Sequence, residues 1–382
     1  MAYDFSPRWM NPELEAFQTS VEKFLDQEML PQDEAARAQG HVGHDLWRRA
    51  GELGMLCTDI PAEFGGGDGD FRHEAVIYEA MACRGLTGLN NSVHSIVAHY
   101  LLNHGTQEQK EFYLPQLCAG QMVGAIAMTE PGGGSDLQSI KTRAIKKENS
   151  YVLNGSKTFI SNGFLSELML VVAKTDPTQR ARGVSIFLVD TRELKGFSVG
   201  KLLKKVGMKA QDTAELFFDD VVLPENALLG GAEGQGFYQL MGDLPYERLI
   251  IADNAMGAMI GAYHETVNYV QGREAFGKKV VEFQNTKFKL AEIAATIRVA
   301  RAFMDRCIED YLSGKLDTET ASMAKLWMTE QQCDVIDECV QLHGGYGYME
   351  EYLIGRMYAD ARVQRIYGGT NEIMKEVISR KL

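Results

Sequence analysis

The chain has 382 residues, 45% of them apolar, and a formal charge of −13 at pH 7. That length exceeds one ordinary core and calls for two or three packed units. The acidic balance disfavours nucleic acid as a partner, and no apolar run approaches the ~20 residues of a membrane span.

The first third reads as helical. In NPELEAFQTSVEKFLDQEML, Leu14, Phe17, Val21, Phe24 and Leu25 recur at three- and four-residue intervals, and Pro31 is expected to stop the helix. DLWRRAGELGML continues the rhythm. The stretch from His73 to His104 is small and apolar, as buried helices are, and TQEQKEFYLPQLCAG reads as a short amphipathic helix broken at Pro115. Near Val123 the texture changes. SYVLNGSKTFISNG, LMLVVAKT, VSIFLVDT and ELFFDDVVLP are rich in Val, Ile and Phe and bounded by turns, as strands are. Asn154-Gly155 predicts a tight hairpin turn. From Phe237 the chain returns to helix, first in a long segment with Pro245 near its start. FQNTKFKLAEIAATIRVARAFMDRCIEDYLSG and TETASMAKLWMTEQQCDVIDECVQLHGG follow as two more long helices, and MEEYLIGRMYADAR and TNEIMKEVISRKL finish the chain. The layout is α+β, helical then β then helical, with expected divisions at 1–122, 123–226 and 227–382 and a bundle in the last part.

Six cysteines (57, 83, 118, 307, 333, 339) lack C-x-x-C spacing, which points to reduced thiols rather than a disulfide framework or zinc site. His41 and His44 have no third ligand nearby and read as surface histidines. The N-terminal residues lack a basic segment followed by an apolar one. The expected location is a bacterial cytoplasm, or the mitochondrial matrix for a processed eukaryotic protein.

Several motifs carry two readings each. No G-x-G-x-x-G occurs, and GREAFGKK (272–279) has a phosphate-loop skeleton but no final Ser or Thr and no preceding strand. TEPGGGSD (129–136) frees backbone N–H groups to face an anion, as nests do; it is equally a Gly-rich turn with Asp136 as a cap. Glu247, placed in the first turn of its helix, is what a helix dipole favours. YGGTNEI (367–373) reads as a turn with Thr370 capping the last helix, and HGGYGYMEEY (343–352) as a helix stop and restart.

Taken in order, AMTEPGGGSD, KTFISNG, LPYERLIIADNAMG, REAFGKKVVEFQ, QLHGGYGYMEEY and DARVQRIYGGTNEIMKEVI resemble the acyl-CoA dehydrogenase family across essentially the whole chain. The likeness is nearest to its long-chain and isovaleryl types. The resemblance implies the fold of that family: an N-terminal helical domain, a middle β-domain and a C-terminal four-helix bundle. It implies FAD and an acyl-CoA held between the β-domain and the bundle. On this basis Met128 and Thr129 lie beside the flavin, Ser135 touches flavin and substrate, and Phe159 and Ser161 cover the ring and hydrogen-bond near its reactive nitrogen, where many relatives carry Trp and Thr. Arg273, Phe276 and Gln284 reach the FAD of a neighbouring subunit, Gln341 and Gly345 lie near the adenosine end, and Thr370 and Glu372 open the last helix toward the pyrophosphate. Relatives often have Gln at the place of Glu372. The shared site implies a homotetramer, a dimer of dimers, and electrons are expected to leave to an electron-transfer flavoprotein.

The base is where this chain departs from many relatives. They carry Glu in a Y-E-G-T motif, and here that position is Gly368. The resemblance then assigns the base to Glu247, as in the long-chain and isovaleryl types. It takes the α-proton while a hydride leaves Cβ for the flavin. The thioester carbonyl would be held by the Gly368 N–H and a ribityl hydroxyl. Burial is expected to raise the proton affinity of Glu247 against the opposing helix dipole. Arg248 organises this corner, Tyr238, Pro245 and Tyr246 line the substrate channel, and Gly369 adjoins the substrate. The expected reaction is dehydrogenation of a medium- or long-chain acyl-CoA to the trans-2-enoyl-CoA. A branched substrate (isovaleryl- or citronellyl-like), a flavin monooxygenase or oxidase on the same scaffold, and a non-catalytic acyl-CoA binder are the alternatives.

Overall fold

Asn11 opens the first helix by accepting the N–H of Leu14 in the computed structural model, which describes residues 3–382. Helix α1 (Pro12–Phe24) loosens into a π turn over Leu25–Met29 and a 3-10 turn over Leu30–Gln32, then continues as α2 (Asp33–Gln39). Pro31 therefore does not end the helical path. It sits at the start of the 3-10 turn, where a missing N–H costs little. Helices α3 (His44–Glu52), α4 (Phe71–Cys83), α5 (Asn91–His104) and α6 (Gln107–Cys118) follow. Capping boxes start α4 at Asp70 and α6 at Thr106. Pro115 lies inside α6 without breaking it; the carbonyl it leaves free belongs to Glu111, on an exposed position where water can bond it.

Seven strands form the middle sheet: β1 (Gly124–Ala127), β2 (Arg143–Lys147), β3 (Ser150–Ser161), β4 (Leu168–Lys174), β5 (Val184–Asp190), β6 (Phe197–Leu202) and β7 (Thr213–Pro224). Their order is β1-β4-β2-β3-β7-β6, with β5 antiparallel on β4. Every residue of β4 is buried, as expected of a strand covered on both faces. Asn154-Gly155 does not make the predicted hairpin, because β3 runs straight through it. The pair marks a slip in register against β7 between Leu153 and Gly155. The Asn154 amide exchanges two hydrogen bonds with Asp220 opposite, at 3.0 and 2.9 Å. Gly155 is required there, since a Cβ would meet Thr142 Oγ1 at 2.4 Å.

The last third is helical. It holds α7 (Gly236–Gly272), α8 (Gln284–Leu312), α9 (Thr318–His343), α10 (Leu353–Ala361) and α11 (Asn371–Ser379), with a short hairpin of β8 (Glu274–Ala275) and β9 (Lys278–Lys279) between α7 and α8. Helix α7 has 37 residues and takes Pro245 into its interior. Glu247 is thus in the helix body and not in its first turn, so neither a capping role nor a strong dipole effect applies, both being confined to the terminal turn. Helix α7 packs along α4 and α9 and also meets α5, α8 and α10.

The approach of α7 to α4 depends on two glycines one turn apart. A Cβ on Gly257 would meet Glu79 Cα at 2.6 Å, and one on Gly261 would meet Cys83 O at 2.2 Å. Both obstacles are backbone atoms, which cannot rotate away. Gly261→Ala is expected to lower stability by ~1–3 kcal/mol, whereas Gly272→Ala, with nothing within 4 Å of its added carbon, is expected to stay within ~0.5 kcal/mol of the parent. Denaturant midpoints of the two variants check this.

Candidate active site

On the sheet side, the site is organised by a buried ion pair. Met128 and Thr129 leave the end of β1, and Thr158 on β3 donates its N–H to Thr129 O at 3.0 Å. Glu130 is buried and accepts from Lys157 Nζ at 2.9 Å, Lys141 N at 2.6 Å and Thr142 N at 2.9 Å. Lys157 donates also to Met128 O at 3.0 Å. Burial brings the Lys157 ammonium down to about 8 despite its carboxylate partner. For Glu130 burial pushes upward, yet Lys157 and the N–H donors outweigh it and hold the carboxyl below its usual range. The pair ties the loop to the strand that follows in the motif order.

The loop then closes on itself: Glu130 and Gly133 exchange two backbone hydrogen bonds at 3.1 Å. The glycines beyond need no positive φ. A Cβ on Gly132 would meet nothing within 4 Å, and on Gly133 or Gly134 nothing closer than 3.7 Å. The chain itself therefore gives no reason for three small residues, and room for an approaching ligand does. Ser135 is exposed at the end of the loop. Asp136 caps the 3-10 turn Leu137–Ser139 through Gln138 N, so the capping reading of this residue holds beside the open loop.

Two phenylalanines are strained outward. At the register slip between Lys157 and Ile160, Phe159 adopts φ 59° and is 68% exposed. Phe276 adopts φ 52°, followed by Gly277 at 77°, at the tip of the β8–β9 hairpin, and is 96% exposed. A bulky side chain at positive φ costs ~1–3 kcal/mol and persists where something other than local stability holds it. Ser161 is half-buried just beyond Phe159. Arg273, before the hairpin, lies over the Tyr346 ring at 5.6 Å. This joins the hairpin to the turn carrying Gly345; Gly345 and Gln341, in the last turn of α9, are both exposed, as is Gln284 at the start of α8.

On the helical side stands Glu247, 5% exposed. Tyr100 of α5 donates its hydroxyl to Oε1 at 2.8 Å. Burial is the main cause that brings this carboxyl up to about 7; the Tyr100 hydrogen bond and Arg248 oppose it, and Asp243 adds to it. Asp243, one turn earlier, is buried and accepts from Asn103 and His104, both at 2.6 Å. Arg248 is buried, donates to Ser322 Oγ at 2.9 Å and leaves Nε without a partner. Beside it, burial and the Arg248 charge bring Lys325 down to about 8.

Lys325 fastens the turn opposite, donating to Gly369 O at 2.9 Å and Asn371 Oδ1 at 2.8 Å. Thr370 caps α11 by accepting from Ile373 N, with exposed Glu372 in the first turn. Gly368 has φ 62°, and a Cβ on it would meet Ile251 Cδ1 at 2.2 Å. Ile251 is one helical turn beyond Glu247, so the YGGT turn lies against the same stretch of α7. Tyr238 is exposed in the first turn of α7. Tyr246 is buried, its ring stacked on His99 at 3.9 Å and edge-on to Phe71 at 5.9 Å; Pro245 precedes it in the helix.

The structure thus brings Glu247, Arg248 and Gly368 together on one side, and the 128–135 loop with Phe159 and Ser161 on the other. Tyr100, Asp243, Ile251, Lys325, Glu130 and Lys157 were not picked out in the sequence. Lys157 and Glu130 left a trace there, each being a charge set in an otherwise apolar or Gly-rich motif. Tyr100 and Lys325 left none, lying in helices with no distinguishing pattern around them. The open glycines, the outward strained rings and the capped N-terminus of α11 fit a large planar, anionic cofactor.

Comparison with known proteins identifies the family. The descriptions "Acyl-CoA dehydrogenase, N-terminal domain", "middle domain" and "C-terminal domain" match residues 11–121, 125–221 and 234–382. The long-chain specific acyl-CoA dehydrogenase of Rattus norvegicus mitochondria is 51% identical over 98% of this chain and 87% of its own length. An acyl-CoA dehydrogenase crystal structure from Geobacillus kaustophilus is 44% identical, with a TM-score of 0.94 over 98% of this chain and 99% of its own. A glutaryl-CoA dehydrogenase from Mycobacterium smegmatis, solved in complex with FADH2, is 27% identical with a TM-score of 0.91, covering 98% and 95%. The chain belongs to the acyl-CoA dehydrogenase family, oxidoreductases that act on the CH–CH bond of an acyl-CoA.

Proposed function

We propose that this protein converts a medium- or long-chain acyl-CoA to the trans-2-enoyl-CoA with FAD as its resident cofactor, and that an electron-transfer flavoprotein takes the electrons onward. The observation that carries the reading is Glu247: a buried carboxyl at about 7, next to the turn whose Gly368 N–H would hold the thioester carbonyl. A base is most effective with its proton affinity near the working pH.

Each half of the site has a part. Glu247 would accept the α-proton. Arg248, buried with one N–H free, would balance the charge of that carboxylate before the transfer. The Gly368 N–H would strengthen its hydrogen bond as negative charge grows on the carbonyl. Met128, Thr129, Ser135, Phe159 and Ser161 would hold the flavin ring, and Thr370 with the N-terminus of α11 its pyrophosphate. Bound FAD supplies the two-electron acceptor for the hydrogen that leaves Cβ. The exposed, strained Phe276 supports a homotetramer in which Arg273, Phe276 and Gln284 complete a neighbour's cofactor site.

The long-chain choice is supported by the 51% identity to a long-chain enzyme. Anaerobic titration with a panel of straight and branched acyl-CoAs, read by flavin bleaching, decides the class. Bleaching confined to short branched thioesters overturns the chain-length reading.

Glu247→Gln is expected to retain flavin absorbance and acyl-CoA binding while bleaching falls by ~10²–10⁴. Stopped-flow absorbance is the measurement, and a normal rate removes Glu247 as the base. Moving the acid to the turn is expected to fail at first. In E247Q/G368E the new side chain must share space with Ile251 Cδ1, 2.2 Å from its Cβ. Adding Ile251→Ala opens that space and is expected to recover at least ~10-fold over E247Q, a fraction of what a general base contributes.

A further inference from the structure

The two oxygens of the Glu247 carboxyl are in different situations. Oε1 is taken by the Tyr100 hydroxyl at 2.8 Å, while Oε2 makes no hydrogen bond among the described residues. Tyr100 is fully buried on α5, so its hydroxyl has no competing water. The same face of α5 holds Asp243 through Asn103 and His104. Residues 100, 103 and 104 share one side of α5, and 243 and 247 share one side of α7, by the three- and four-residue spacing of helix neighbours. One helix therefore grips both acids of the other.

We propose that Tyr100 is a positioning residue for the dehydrogenation, pinning Oε1 of Glu247 so that Oε2 is the atom that receives the substrate's α-proton. The proposal rests on the reading of Glu247 as the base. In the step, the Cα–H bond breaks, its proton bonds to Oε2, and the electron pair moves toward the thioester carbonyl and into the new Cα–Cβ double bond. Bound FAD would supply the acceptor for the Cβ hydrogen and its electron pair. A carboxyl free to rotate would offer either oxygen at varying angles. One anchored by a buried hydroxyl presents the second oxygen in a fixed direction, which is what an oriented proton transfer needs.

The same contacts act on the proton affinity of the base in opposite senses. The Tyr100 hydrogen bond favours the ionised carboxylate, and the Asp243 charge disfavours it. Arg248, the next residue on the same helix, favours the ionised form, with Lys325 of α9 beside Arg248. His104 faces Asp243 at 2.6 Å. Glu74 and Tyr78 of α4, with Asp59, act on neighbouring Tyr246. Removing the Tyr100 hydroxyl must raise the affinity of Glu247 for its proton, and removing the Asp243 charge must lower it. A loss of packing alone would not move two conservative variants in opposite directions.

The test uses FAD-loaded enzyme and a straight-chain acyl-CoA, with reductive half-reaction rates measured from pH 5.5 to 9. The ionised base is the active form, so the rate rises with pH through its titration. Tyr100→Phe is expected to move that rise upward by about 1 pH unit, the size of a hydrogen bond to a charged group, and to lower the limiting rate more than it weakens substrate binding. Asp243→Asn is expected to move the rise downward by about half a unit to 1 unit. Flavin absorbance and melting temperature verify that each variant is folded and loaded. If both profiles overlay the parent's while Glu247→Gln is inactive, the positioning role is wrong and the base assignment stands. If Glu247→Gln retains the parent rate, the base assignment itself is wrong.

Discussion

Burying a carboxyl group is costly unless its charge is answered nearby, and this chain buries one in the middle of its longest helix. No helix terminus compensates for Glu247, because α7 begins at Gly236. What answers it is a single hydroxyl from α5, together with the charge of Arg248. That arrangement requires α7 to lie close to its neighbours along much of its length. The glycines facing α4 permit the close approach, and the capped turn fastened by Lys325 closes the other side. The outcome is a buried carboxyl brought up to about 7.

The sheet carries the complementary constraint. Here backbone strain accompanies outward-facing rings. Phe159 and Phe276 occupy backbone conformations that glycine or asparagine would adopt more readily, and both turn their rings outward. Within the chain neither ring gains the burial that would offset its strain. The buried Glu130–Lys157 pair holds the bulge and the glycine loop in register, so a surface that is locally unfavourable is maintained by a strongly satisfied interior just beneath it.

The three-part layout was legible because it rests on local signals: period-four apolar residues in the helices, β-branched runs in the strands, glycine and proline at their ends. Four local readings failed, and each for a tertiary reason. Asn154-Gly155 has the chemistry of a reversal, yet Asp220 captures the asparagine and a long strand pairs across it. Pro31, Pro115 and Pro245 were given the force of helix breakers or starters, while Pro31 and Pro115 sit where the lost hydrogen bond is cheap and α7 runs through Pro245. The misplaced start of α7 is the consequential one, since it made Glu247 look like a capping acid. Motif order located most candidate site residues, but motifs carry nothing about the partners that tune them. Tyr100 and Asp243 become visible only when α5 is laid against α7.

Position 368 and position 251 form one choice rather than two. Glycine at 368 suits a φ of 62° and leaves a gap that Ile251 fills; with the gap filled, a side chain at that position is disfavoured. The helix is a good alternative host. On it, one hydroxyl, that of Tyr100 at 2.8 Å from Oε1, fixes the carboxyl of Glu247. The isoleucine one turn beyond Glu247 makes an acid at position 368 difficult to install by a single substitution.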